Sequence, residues 1–156
     1  MPFKKTVLWM IFLLYLVFLI WLLYFDGFYN RSGLETDFQT WFSLKTNFVP
    51  FATIDRYLRN ISNNVQIGSA MVNLFGNLAA FMPMGLFFPL LCPPMRRAWI
   101  FIPALIVILV GVEGMQLLLR VGSCDVDDVI LNLIGALIIY VLVKLPMIQK
   151  HLKKLN

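Results

Sequence analysis

The chain has 156 residues, 60% hydrophobic and only 13% charged, against roughly 45–50% and 25% in globular domains. So few charges cannot cover so much apolar surface in water. This excludes an ordinary soluble domain and predicts a single all-α integral membrane domain over residues 1–156. The net charge of +5 does not read as a nucleic-acid surface, because the basic residues flank apolar runs instead of alternating with exposed aromatics.

In chain order, residues 7–25 form the first predicted span. Nineteen residues cover roughly 28 Å, close to a hydrocarbon thickness of about 30 Å. Trp21, Tyr24 and Phe25 at its far end are interfacial anchors. The run is too long and too aromatic for a cleavable leader and ends without a small-residue cleavage site, so it is read as retained. Residues 26–66 form a polar outer loop. Within it Ile54, Tyr57, Leu58 and Ile61 repeat at i, i+3, i+4 and i+7, with Asp55, Arg56, Arg59 and Asn60 on the other face. This predicts a short amphipathic helix over residues 53–61 lying in the membrane interface, with Thr53 as its N-cap.

The second span, residues 67–92, is interrupted by Asn73, Gly76, Asn77, Pro83, Gly85 and Pro89, and Pro83 should kink it. A tight inner turn over 93–98 leads to the third span, 99–119. A short outer turn over 120–125 leads to the fourth, 126–145, and a basic tail containing the single histidine, His151. Glycines 68, 76, 85 and 111 read as sites of close helix packing. Cys92 and Cys124 fall at opposite ends of their spans, so no disulfide is expected. Lys4, Lys5, Arg96, Arg97, Lys144, Lys150, Lys153 and Lys154 collect on one side with no acid among them. That asymmetry predicts both termini in the cytoplasm.

A minority of residues is not explained by lipid. Asn73 and Asn77 share a face of the second span. Glu113, Gln116 and Arg120 follow at i, i+3 and i+7 in the third. Asp125, Asp128 and Asn132 repeat that spacing in the fourth, with Gly135 continuing the line and Asp127 beside it. Polar and ionisable side chains at membrane depth need partners or water. All three stripes fall in the outer halves of their spans, so they should meet in one polar pocket open to the outer face. Each residue alone is compatible with interhelical glue; their convergence at one depth favours a binding or catalytic pocket. Glu113 should pair with Arg120 or be protonated, and Asp125, Asp127 and Asp128 should crowd against Arg120. Glu113, Asp128 and Asn132 are oxygen donors suited to a hard cation, but without a dense carboxylate cluster neither a metal nor a cofactor is expected.

The chain resembles the VanZ-like family of small bacterial membrane proteins. The likeness is carried by Asn47-Phe-Val-Pro-Phe51, by Asn73-Leu-Phe-Gly-Asn77 with Phe81-Met-Pro83-Met-Gly85, and by Glu113-Gly-Met-Gln116, Arg120 and Asp125-Val-Asp127-Asp128-Val-Ile-Leu-Asn132-Leu-Ile-Gly135. These cover roughly residues 47–140, and the first span and the tail carry no family signal. The resemblance implies a place in the bacterial inner membrane and a link to the cell envelope, the namesake being associated with teicoplanin resistance.

Three functions compete. The first is binding of a lipid head group, a lipid-linked envelope component or a lipoglycopeptide, with Arg120 meeting an anionic group and Asn77, Gln116 and Asn132 orienting it. The second is an intramembrane enzyme with Glu113 or Asp128 as catalytic acid or base. The third, a transporter component, lacks any visible inverted repeat.

Overall fold

A computed structural model describes residues 2–29 and 37–146. Lys150, Lys153, Lys154 and His151 of the predicted basic tail lie outside the described residues. The elements are α1 (Pro2–Tyr29), α2 (Phe38–Lys45), the short strand β1 (Thr46–Asn47), α3 (Ala52–Ser62), α4 (Ile67–Ala80), α5 (Met82–Leu91), a 3₁₀ turn (Pro93–Arg96), α6 (Ala98–Leu118), the short strand β2 (Cys124–Asp125) and α7 (Val126–Val143). The protein is an all-α membrane protein, and the described residues include four helices or helix pairs long and apolar enough to span: Lys5–Phe25, Ile67–Leu91, Ala98–Leu118 and Val126–Val143.

The second span is two helices rather than one kinked helix. Pro83 has no N–H to give to residue 79, and α4 stops at Ala80. Phe81 caps the break, and α5 starts with Pro83 in its first turn, where a missing donor costs nothing. Both halves pack against α7, and glycine sets the separation. A Cβ on Gly135 would stand 1.8 Å from the Leu78 carbonyl oxygen, and one on Gly85 would stand 2.1 Å from that of Ala136. Backbone therefore lies on backbone, the close approach small residues permit between helices in lipid. The other packing glycines expected from sequence do not act this way. A Cβ on Gly68, Gly76 or Gly111 would meet nothing within 4 Å.

The two ends of the bundle differ. At the hairpin end, near the Pro93–Arg96 turn, Phe101 and Tyr140 stack at 4.2 Å with their planes 6° apart. The Tyr140 hydroxyl donates to the Arg96 carbonyl at 2.8 Å, and the Arg96 guanidinium donates to the Pro89 carbonyl at 2.9 Å. Phe81, Leu105, Leu109 and Ala136 complete a core buried from lipid and water alike. Along α1, Phe12, Tyr15, Leu16, Leu19 and Leu23 form the stripe that packs inward. The opposite end, called here the loop end, carries α2, α3 and the two short strands. Cys92 and Cys124 are free thiols at opposite ends.

Two loop-end features go beyond the sequence reading. One is α2, started by the Asp37 carboxylate accepting the Thr40 N–H at 3.1 Å. Its buried Trp41 donates an indole hydrogen bond to the Leu117 carbonyl at 3.3 Å, seating α2 on the end of α6. The other is a parallel pairing of β1 with β2, Thr46 opposite Cys124 and Asn47 opposite Asp125.

Candidate functional site

The site is built on the first turn of α7. Asp125, Asp127 and Asp128 sit at a helix N-terminus, where free N–H groups and the macrodipole favour negative charge. Each carboxylate has a different duty. Asp125 caps its own helix, accepting the Asp127 N–H at 2.9 Å. It also accepts the Asn47 amide at 3.1 Å and the Thr53 hydroxyl at 2.6 Å. Its own N–H donates to the Glu113 carboxylate at 3.2 Å, tying α6 to β2.

Asp127 is fully buried and faces the other way, onto α3. It accepts the backbone N–H groups of Phe51 at 2.5 Å, Thr53 at 2.7 Å and Ile54 at 3.0 Å. The N-terminus of α3 is therefore capped by a carboxylate from another helix. Thr53, expected to be that N-cap, is inside the helix, and its hydroxyl is spent on Asp125. The entry residue is Phe51, in the left-handed region at φ 67°. That conformation is costly for a bulky residue, and the Asp127 bond to its N–H holds it.

Asp128 turns toward α4 and accepts a hydrogen bond from the Asn77 amide. The remaining network runs through Thr53, whose hydroxyl accepts from Arg56 at 2.8 Å and from Asn47 at 3.1 Å. Asn47 also accepts the Val49 N–H at 3.1 Å, turning the chain into α3.

Between α3, α4 and this turn lies an open cavity of about 600 Å³. Its lining includes Lys45, Arg56 and Tyr57 together with Asp125, Asp128 and Asn73. Burial, then the charge of Asp128, raises the Tyr57 phenol above its ordinary range, so it stays a neutral hydroxyl donor. Cys124 is likewise pushed up, by burial first and then by Glu113 and Asp125, so its thiol is a poor nucleophile at neutral pH.

The predicted residues fall into three groups. Asn73, Asn77, Glu113, Asp125 and Asp128 meet in or against this network, though exposed Asn73 gives its amide to the Ser69 carbonyl at 2.8 Å. Asn132 is buried one turn below Asp128, with its carbonyl oxygen lacking a hydrogen-bond partner, and it does not line the cavity. Gln116 and Arg120 go elsewhere. The Gln116 amide donates to the Leu23 carbonyl of α1 at 2.9 Å, and Arg120 lies 5.9 Å from the Phe38 ring of α2. Arg120 is not among the residues lining the cavity; on exposed α3, Arg59 and Asp55 form an ion pair at 2.6 Å. Gly135 is a packing residue, not part of the polar line. Among the described residues no three His, Cys, Asp or Glu side chains are grouped to hold a metal ion.

A family profile described as VanZ/LLP1 matches residues 12–148. The chain belongs to the VanZ/LLP1 family. No curated protein and no solved structure matches it. The family region is wider than the motifs suggest, taking in most of α1. The structure gives a reason: α1 supplies the Phe12–Leu23 packing stripe and the carbonyl that Gln116 binds. In this VanZ/LLP1 protein the network residues that spacing alone missed are Asn47, Thr53, Arg56 and Tyr57. A signal existed for one of them, since Asn47 opens the Asn47-Phe-Val-Pro-Phe51 stretch.

Proposed function

We propose that this VanZ/LLP1 protein binds the head group of a membrane amphiphile in the cavity beneath α3, at the outer face of the bacterial inner membrane. The amphiphile is a lipid or lipid-linked envelope component, or a lipoglycopeptide of the teicoplanin type, and binding contributes to glycopeptide resistance. The observation that carries the reading is the charge arrangement of the cavity. The lining combines the cations Lys45 and Arg56 with the carboxylates Asp125 and Asp128, and the Thr53 hydroxyl links Arg56 to Asp125. A phosphate or carboxylate suits the cations through charge-assisted hydrogen bonds. Hydroxyl or ammonium groups of the same head group suit the aspartates. The outward orientation, with both termini cytoplasmic, is supported by the acid-free basic segments at the far ends of the spans.

Arg56 takes the anion-binding role that spacing assigned to Arg120. Replacing it should weaken binding of an anionic phospholipid in nanodiscs about tenfold, the scale of one lost charge-assisted hydrogen bond. Arg120→Ala should leave that affinity within about twofold. Native mass spectrometry of retained lipid measures both, and the susceptibility of cells to teicoplanin reports the consequence. Equal retention by the wild-type protein and Arg56→Ala would remove the reading.

An intramembrane enzyme acting on a lipid-linked substrate is the second reading. It is favoured by Asp128, a carboxylate that lines the cavity while Asn77 holds its orientation. Turnover of lipid-linked cell-wall precursors by the purified protein, lost in Asp128→Asn with binding retained, would establish it.

A further inference from the structure

A second opening lies lower on the same side of α4. It is an apolar crevice of about 270 Å³ between α1 and the α4–α5 pair. One wall is the α1 stripe of Tyr15, Phe18, Leu19 and Leu22, spaced i, i+3, i+4 and i+7. The other is Gly76, Ala79, Ala80 and Pro83. The small residues leave the slot between the walls unfilled, and a Cβ at Gly76 would meet nothing within 4 Å. One bond pins the walls together: the Tyr15 hydroxyl donates to the Ala80 carbonyl at 2.8 Å. The crevice lies within the spans Lys5–Phe25 and Ile67–Leu91, so what enters it from the bilayer is hydrocarbon.

Its position relative to the polar cavity is informative. Asn73 lines the cavity and Gly76 lines the crevice. They are one turn apart, and Ala80 and Pro83 continue the row at i+7 and i+10 from Asn73. One helix face thus passes from a charged cavity at the loop end to an apolar slot below it, the order of polarity along a phospholipid.

We propose that the α1–α4 crevice holds one acyl chain of a bilayer glycerophospholipid whose phosphate head group occupies the cavity beneath α3. This rests on the head-group reading above and adds the chain as a second determinant. Bilayer hydrocarbon is as apolar as the slot, so the slot selects by shape and packing rather than by removing the chain from water.

The test uses full-length protein in nanodiscs containing phosphatidylglycerol with a photoactivatable diazirine in its acyl chain. Adducts on peptides covering residues 15–22 and 76–83 are compared with those around Val107 and Val110, which are exposed on α6. The crevice peptides should carry about threefold more adduct, the scale of a single contact inside a bilayer. Gly76→Phe should bring them down to the α6 level. Gly111→Phe, equally unobstructed on α6, should not. If Gly76→Phe does not fold, Ala79→Leu narrows the same slot and carries the same expectation. Even labelling of all spans, or enrichment untouched by the filling variants, overturns the chain assignment. So does enrichment seen only with an acylated glycopeptide probe and not with the phospholipid. The head-group reading is scored separately, by titrating sn-glycerol phosphate, which has no chain, onto wild-type protein and Arg56→Ala. Binding there without crevice adducts sinks the slot alone. Crevice adducts indifferent to Arg56→Ala overturn the joint assignment of head and chain to one lipid.

Discussion

The hairpin end and the loop end of this bundle are held by different physics. At the hairpin end, Phe101, Tyr140, Leu105 and Ala136 interlock by shape, with Gly85 and Gly135 letting α5 and α4 reach the α7 backbone. At the loop end, four acidic side chains on α6, β2 and α7 are shared out among backbone N–H groups, Asn47, Thr53 and Asn77. A membrane bundle gains little by moving apolar groups from lipid to protein, so close packing must hold one end. The other end meets water and head groups, where hydrogen bonds to carboxylates can hold an extramembrane helix in place and still leave a polar cavity beside it.

Four substitutions or measurements sharpen that contrast. The largest effect is expected for Gly135→Val. Its side chain would collide with the Leu78 carbonyl and cost about 3 kcal/mol or more through overpacking. Thermal unfolding in detergent should show loss of the whole bundle, not of the loop end alone. Next is Asp127→Ala, which strips the N–H groups of Phe51, Thr53 and Ile54 of their acceptor and costs about 2 kcal/mol. Here the loss should be local: proteolysis within residues 46–66 quickens while the spans stay folded. Simultaneous loss of the bundle would break the comparison. Asn77→Ala removes one bond to Asp128, and a double-mutant cycle with Asp128→Ala should give a coupling of about 0.6 kcal/mol, typical inside bilayers. Smallest is the behaviour of Cys124. Its raised pKa keeps the thiol protonated at neutral pH. Alkylation should therefore be slower than for an unperturbed cysteine at pH 8 and should keep accelerating above the ordinary thiol range.

The spans, the α3 stripe and the meeting of Asn77, Glu113, Asp125 and Asp128 were legible from hydropathy and helical spacing, because both depend on local periodicity. The failures have local causes as well. Arg120 was placed seven residues beyond Glu113 on a continuing helix. But α6 ends at Leu118, the Val121 N–H closes back onto the Gln116 carbonyl at 3.0 Å, and Arg120 takes φ 56°. Past that point the stripe no longer says where a side chain goes. Gln116 shares a face with Glu113 but sits one turn further along α6, and its amide is taken up by the α1 backbone at Leu23. The α2 helix could have been found: Asp37 precedes Phe38, Trp41 and Phe42, a cap followed by i, i+3, i+4 apolar spacing. The capping of α3 by Asp127 could not, because the two are separated by more than seventy positions in the chain.

That separation bears on how the protein is made. Synthesis delivers residues 46–62 well before residues 124–127, and the segment has neither its strand partner nor the acceptor for its first amides until the last span arrives. The extramembrane helix must wait at the surface while α4 to α6 insert. The cavity is therefore the last part of the molecule to close, and a ribosome stalled before Cys124 would display a membrane-bound chain with its spans begun and its polar cavity unbuilt.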